Sequence, residues 1–243
     1  MKKYVILIGI CTLLFSCQEE STISFVNKEV SSEKCENCAE VQISYPEAAA
    51  GSDVATAINT AIEEHIIFLL NYTEENTPDS VERAISDFTY SYEVLRSEFP
   101  ETPAWEADIE GRILYRDDFI ICIQVDSYLF TGGAHGYGAT AFMNFDPETG
   151  ILLQPDDIFS DLRGFTELAE KKFRQQENIP DGANINSTGL MFEDDVFVLP
   201  ENIGFTSESI LLVYNQYEIA SYADGQKKVE IPLNKVRSFM KRE

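Results

Sequence analysis

One change of period organises this chain. From Val54 to Leu69 apolar residues recur every three or four positions (Val54, Ile58, Ala61, Ile62, Ile66, Leu69), and His65 lies along the same stripe. A second such run holds Val81, Ile85, Phe88, Tyr92 and Leu95 between Ser80 and Phe99, and ends at Pro100 and Pro103. After Trp105 the period falls to two, over 107–116, 119–128 and 139–145. Three- and four-residue spacing gives a helix one buried stripe, whereas alternation gives a strand one buried face. The expectation is two amphipathic helices and then three antiparallel strands.

Shorter signals complete the reading. Val41–Pro46 alternates and ends at proline, so it reads as a strand. Asp53 stands where the first helix needs a cap. Arg116-Asp117-Asp118 reads as a hairpin joint, Thr131–Gly138 as a glycine-rich connection, and 146–150 as a turn before a short strand at 151–153. A helix is expected from Leu162 to Gln176, with Phe165, Leu168, Ala169 and Phe173 inward. Strands are expected at 196–199, 204–206, 209–214 and 228–231, with a short helix near Asn234. The fold class is therefore α+β: antiparallel sheets packed with helices, in two subdomains, 38–153 and 154–243.

The first residues speak to compartment. Lys2 and Lys3 precede an apolar run from Tyr4 to Phe15, too short to span a bilayer, and Leu14-Phe15-Ser16-Cys17 follows. This reads as a lipoprotein signal peptide, 1–16, with Cys17 as the lipid-modified (palmitate-bearing) first residue of the mature chain. The membrane is then a partner through that lipid. Residues 17–37 are polar and read as a flexible tether. Gln18-Glu19-Glu20-Ser21 resembles lipoprotein surface-export signals, so the expected location is the outer membrane or cell surface, outside the cytoplasm.

The whole chain carries 18 basic and 42 acidic residues, a net charge of −24. Loss of Lys2 and Lys3 would leave 16 against 42, a balance of −26. Such a surface repels nucleic acid and attracts cations, which suits either plain solubility or a cationic protein partner.

Cys35-Glu-Asn-Cys38 has C-x-x-C spacing. A zinc site would need two further ligands, and His65, His135 and Cys122 are all that the mature chain offers. Outside the cytoplasm a disulfide is expected, within the pair or from one member to Cys122. No metal and no cofactor are expected. Carboxylate pairs at 117–118, 156–157 and 194–195 match neither a calcium loop nor a glycosidase pair, and read as solvated turns.

Two segments hold the candidate contact residues. Gly132-Gly133-Ala134-His135-Gly136-Tyr137-Gly138 runs into a strand, not a helix, so it is no phosphate loop. Its His135 is read as structural or interfacial. Tyr214-Asn215-Gln216-Tyr217-Glu218-Ile219-Ala220-Ser221-Tyr222 is rich in tyrosine for a connection, and tyrosine supplies rigid contact area with a polar tip.

These two segments, with Asp156-Asp157-Ile158-Phe159, resemble an extracellular paired module. It occurs in the anti-sigma factor RsiV and in the non-catalytic N-terminal region of the deacetylase PdaC, and the resemblance covers about residues 38–243. It implies an α+β fold of two subdomains, PdaC-like and then RsiV-like, and a partner such as lysozyme. The zinc-dependent deacetylase domain and the sigma-binding segment of those proteins are not expected here. The leading expectation is a lipid-anchored, non-enzymatic binding module. His135, Tyr137, Tyr214, Tyr217, Glu218 and Tyr222 are its partner-binding candidates, and no catalytic residue is assigned. The alternatives are an enzyme acting on cell-wall glycan, using His135 with a carboxylate such as Glu218, and a purely structural envelope lipoprotein.

Overall fold

Both periods become elements in the computed structural model, which describes residues 23–71 and 77–241. β1 (Phe25–Ser31) and β2 (Glu40–Ala48) form an antiparallel hairpin. α1 (Asp53–Leu70) and α2 (Val81–Glu98) then carry the chain over one face of the sheet. It returns as β3 (Glu106–Arg116), parallel to β2, followed by antiparallel β4 (Ile121–Phe130) and β5 (Tyr137–Phe145). The five strands lie in sequence order. The parallel β2–β3 pair is an exception to the expected antiparallel pairing, and it follows from the helical crossover between them.

The second half contains α3 (Pro155–Ile158), α4 (Leu162–Gln176), an antiparallel sheet of β6 (Asn202–Phe205), β7 (Ser209–Tyr214) and β8 (Lys227–Pro232), and α5 (Leu233–Val236). The fold is α+β.

Two cores follow from the patterning. The first buries Ile58, Ile62 and Ile66 of α1, Phe88 and Tyr92 of α2, and Trp105 against the sheet. The second gathers Phe173, Phe192, Phe197 and Tyr214, with ring centroids 5.4–6.4 Å apart. β4 serves both: Ile121, Ile123 and Val125 face the first core while Cys122 faces the second. A boundary at 153/154 therefore divides the chain but not the packing, because the second unit rests on the back of the first unit's sheet.

Several expectations need correction. The 17–37 tether is not flexible throughout: Phe25–Ser31 forms β1 and pairs with all but the first two residues of β2. Lys28 adds to this pairing, its Nζ lying 3.0 Å from Glu47 and 3.1 Å from Glu63. The cap of α1 is Ser52, whose hydroxyl accepts from the Ala55 N–H, and Asp53 sits in the first turn. Residues 196–199 alternate inward and outward but form no ladder; the Val198 carbonyl accepts instead from the Tyr214 hydroxyl at 2.6 Å. Residues 151–153 make only a bridge from Leu152 to Phe145. The signal peptide and Cys17 lie outside the described residues.

Candidate functional site

The glycine-rich connection between β4 and β5 and the tyrosine-rich connection between β7 and β8 meet. Gly132 and Gly133 turn the first loop with φ of 94° and 92°, a region that L side chains avoid. Gly136 is needed for a different reason: a Cβ there would fall 2.4 Å from the Tyr128 ring. The buried backbone at Gly136 is thus packed under Tyr128, and its carbonyl accepts from the Tyr222 hydroxyl at 3.0 Å.

The rings continue the join. His135 and Tyr222 stack with centroids 3.8 Å apart and planes 20° from parallel, and Tyr217 lies 5.6 Å from Tyr222. The Tyr137 hydroxyl donates to the Gln216 carbonyl at 3.3 Å. Deeper down, the Asn215 carboxamide pairs with the Thr140 backbone in both directions, and Gln226 donates to Asn215 Oδ1 and Thr140 Oγ1. A neighbouring strand would bond to this sheet edge in the same way, so Asn215 joins the two sheets through a side chain.

Tyr217 stands at the tip. It is 57% exposed and holds φ of 69°. A tyrosine in that region costs roughly 1–3 kcal/mol, so such outliers gather at functional surfaces. Glu218 follows it and closes a tight turn: its Oε2 accepts from the Asn215 N–H at 2.8 Å. Partial desolvation raises its pKa, and the nearby Glu201 carboxylate adds to the rise. Beside the loops opens a cleft of about 630 Å³, lined in part by Tyr137, Val198, Glu201, Asn202, Tyr217 and Glu218.

His135, Tyr137, Tyr217, Glu218 and Tyr222 thus come together on one surface. Tyr214 does not. It is fully buried against Phe173, Phe192 and Phe197, and burial raises its pKa. It stands on a strand whose six residues are all buried, so its ring serves the core and cannot touch a partner.

The imidazole of His135 lies against Tyr222, and its Nδ1 is 3.1 Å from the Gly136 carbonyl. Neither ring nitrogen meets a carboxylate among the described residues, and His135 does not line the cleft that holds Glu218. The two side chains are therefore not hydrogen-bonded to each other. Among the described residues no three His, Cys, Asp or Glu side chains are grouped to hold a metal.

The other singled-out residues lie apart. Cys35 and Cys38 are disulfide-bonded at the β1–β2 turn, and Cys122 is a free, buried thiol that accepts from the Phe205 N–H. Burial pushes the Cys122 thiol up to about 12. His65 lines a smaller cleft of about 240 Å³ with Phe142, Asn144 and Glu201, and burial lowers its pKa. Sequence reasoning missed Asn215, Thr140 and Gln226 as the residues that weld the site. A polar residue directly after a buried strand marks Asn215, but no local signal marks a partner 75 residues away.

Residues 32–137 match the family model described as deacetylase PdaC, and residues 156–234 match the one described as a protein of unknown function, DUF3298. The first match ends in the glycine loop and the second spans the tyrosine loop. No curated protein sequence matches the chain. Among solved structures, the chain is similar to a DUF3298 family member from Bacteroides fragilis. The TM-score is 0.71 at 18% identity, over 90% of this chain and 93% of that one. A DUF3298 family protein from Pseudomonas aeruginosa gives a TM-score of 0.61 at 21% identity, over 89% and 94%. At such identities the likeness is one of fold.

Proposed function

The chain is a paired PdaC/DUF3298 module, and from that premise we propose that it is a lipid-anchored, non-enzymatic binding module of the cell envelope that recognises a cationic protein of lysozyme type. One observation carries this reading: two loops whose bonded residues lie 79 and 86 positions apart form a single exposed surface, with Tyr217 in a strained conformation at its tip. Tyr137 and Tyr222 are each held by a hydroxyl bond to backbone, and Tyr217 lies against Tyr222; tyrosines held in this way suit contact, because little side-chain freedom is lost on binding. The formal charge of −24, with Glu201 and Glu218 beside those rings, favours a basic partner and speeds its approach. The anchor reading rests on Lys2, Lys3 and the Leu14–Cys17 step. The stacking of His135 on Tyr222, with no hydrogen bond between the imidazole and Glu218 among the described residues, supports a contact role over a glycan-cleaving one.

Calorimetric titration of lysozyme into residues 18–243 at low and moderate salt tests the partner. Binding that weakens with salt and disappears in Tyr217→Ala is expected. No heat at either salt removes lysozyme as the ligand. Metabolic labelling with palmitate tests the anchor: label that persists in Cys17→Ala would remove Cys17 as its site.

A further inference from the structure

Glu201 and Asn202 border two clefts: the one beside the tyrosine loop, and a smaller one of about 240 Å³ at the seam of the two subdomains. α1 brings His65 to the smaller cleft, β5 brings Phe142 and Asn144, and the connection after β5 brings Leu152. That connection doubles back on its strand. Phe145 and Leu152 form a bridge, and the Leu153 N–H donates to the Asn144 carbonyl at 2.7 Å. β6 closes the seam, its Ile203 carbonyl accepting from Asn144 Nδ2 at 2.7 Å. Seams of this kind are where ligand pockets gather.

The polar groups of this cleft are underused. Asn144 is 6% exposed, and its Oδ1 has no hydrogen-bond partner among the described residues. The asparagines that join segments elsewhere use both ends of the carboxamide: Asn59 pairs in both directions with Ala48, Asn186 with Phe192, and Asn215 with Thr140. Asn144 uses one. A stranded buried acceptor costs about 1–3 kcal/mol, and the open space that Asn144 borders is this cleft. Among the described residues neither the His65 imidazole nor the Asn202 carboxamide forms a hydrogen bond, and Glu201 forms no ion pair.

The pattern of donors and acceptors selects the ligand. An anion would meet Glu201. A cation would face N–H groups, since a neutral imidazole presents one and a carboxamide two. Hydroxyl groups answer both, because each donates one bond and accepts others. Phe142 and Leu152, both only partly buried, supply apolar walls for the C–H face of a ring. The volume falls just below the roughly 300–1,000 Å³ of pockets that hold drug-sized ligands, which suits one small ring.

We propose that this cleft binds a neutral sugar, with Asn144 Oδ1 accepting from a ligand hydroxyl while His65 and Asn202 complete the hydrogen bonds. The site goes beyond recognition of a cationic protein, and either activity stands without the other.

Glucose, glucosamine and glucuronate serve as probes, each titrated into residues 18–243 at moderate salt with backbone amides followed by NMR. The three share a ring and differ in charge. Glucose is expected to shift amides over 142–144, 152–154 and 201–203, and to bind more tightly than either charged ring. Loss of one hydrogen bond in His65→Ala or Asn202→Ala should weaken glucose about fivefold. Leu152→Trp fills the cleft from its rim and should abolish the shifts while leaving the lysozyme titration as in wild type. Thermal melts show that each variant is folded. If Leu152→Trp does not fold, the alanine variants decide: wild-type glucose affinity in both overturns the proposal. So does the absence of shifts, the result expected of a cleft that holds only water. Shifts centred elsewhere, shifts that survive Leu152→Trp, or tighter binding of a charged ring overturn it too.

Discussion

Asn215 and Thr140 are bonded twice: the Thr140 N–H donates to Asn215 Oδ1 at 2.9 Å, and Asn215 Nδ2 donates to the Thr140 carbonyl at 3.0 Å. Thr140 is 9% exposed, so its backbone groups have little water to turn to. Asn215→Ala should cost about 1–3 kcal/mol, the usual penalty for stranding buried polar groups. Asn215→Asp should be as harmful, because it loses the donor and sets a charge beside Asp126 and Glu218. Denaturant melts of both variants check this; wild-type stability in either would show that the join is ornamental.

Tyr214 and Tyr217 are three residues apart and opposite in role. Tyr214→Phe removes the bond to the Val198 carbonyl and should cost about 1 kcal/mol with lysozyme affinity unchanged. Tyr217→Gly relieves a left-handed backbone and should leave stability within about 1 kcal/mol of wild type while removing binding. Melts paired with calorimetry distinguish the two residues.

His65 predicts a pH dependence. Burial holds its pKa below the ordinary 6.5, so folding favours the neutral ring. The unfolded chain then binds the proton more readily, and stability declines as pH falls below about 6.5 and through the lower folded value. Glu218 has the opposite sign in a more acidic window: its raised pKa means that folding disfavours the carboxylate, so protonation there favours the fold. Unfolding free energies measured from pH 8 to 5 should flatten in His65→Gln. An unchanged slope would refute the assignment.

Cys122 should be inert in the native protein. It is fully buried and its thiol is pushed up to about 12, which leaves almost no thiolate at neutral pH. A thiol reagent should therefore label residues 18–243 only as fast as the protein opens. Rapid labelling without denaturant would contradict the burial.

The helices, most of the strands and the α+β class were legible because each rests on a local period. α4 occupies Leu162–Gln176 as its apolar spacing predicts, and Ser80, directly before the second apolar run, caps α2. β1 was missed because none of its residues is fully buried, and the partners that hold it, β2 and Glu63 35 residues on from Lys28, leave no local signal. The stretch 196–199 was misjudged because alternation describes where side chains point, whereas a strand also needs a neighbouring backbone.

The candidate site divides along the same line. Its loops, and the abundance of tyrosine in one of them, are properties of short segments, and the residues alone determined them along with the acidity and the two helical stripes. Which tyrosine faces solvent and which asparagine bridges the sheets were decided only in three dimensions. Alternation assigns residues to two faces of a strand but is silent on what packs against either face. That choice belongs to contacts between segments some 75–86 residues apart, among them Asn215 with Thr140 and Tyr222 with Gly136, whose geometry exists only once both cores have formed.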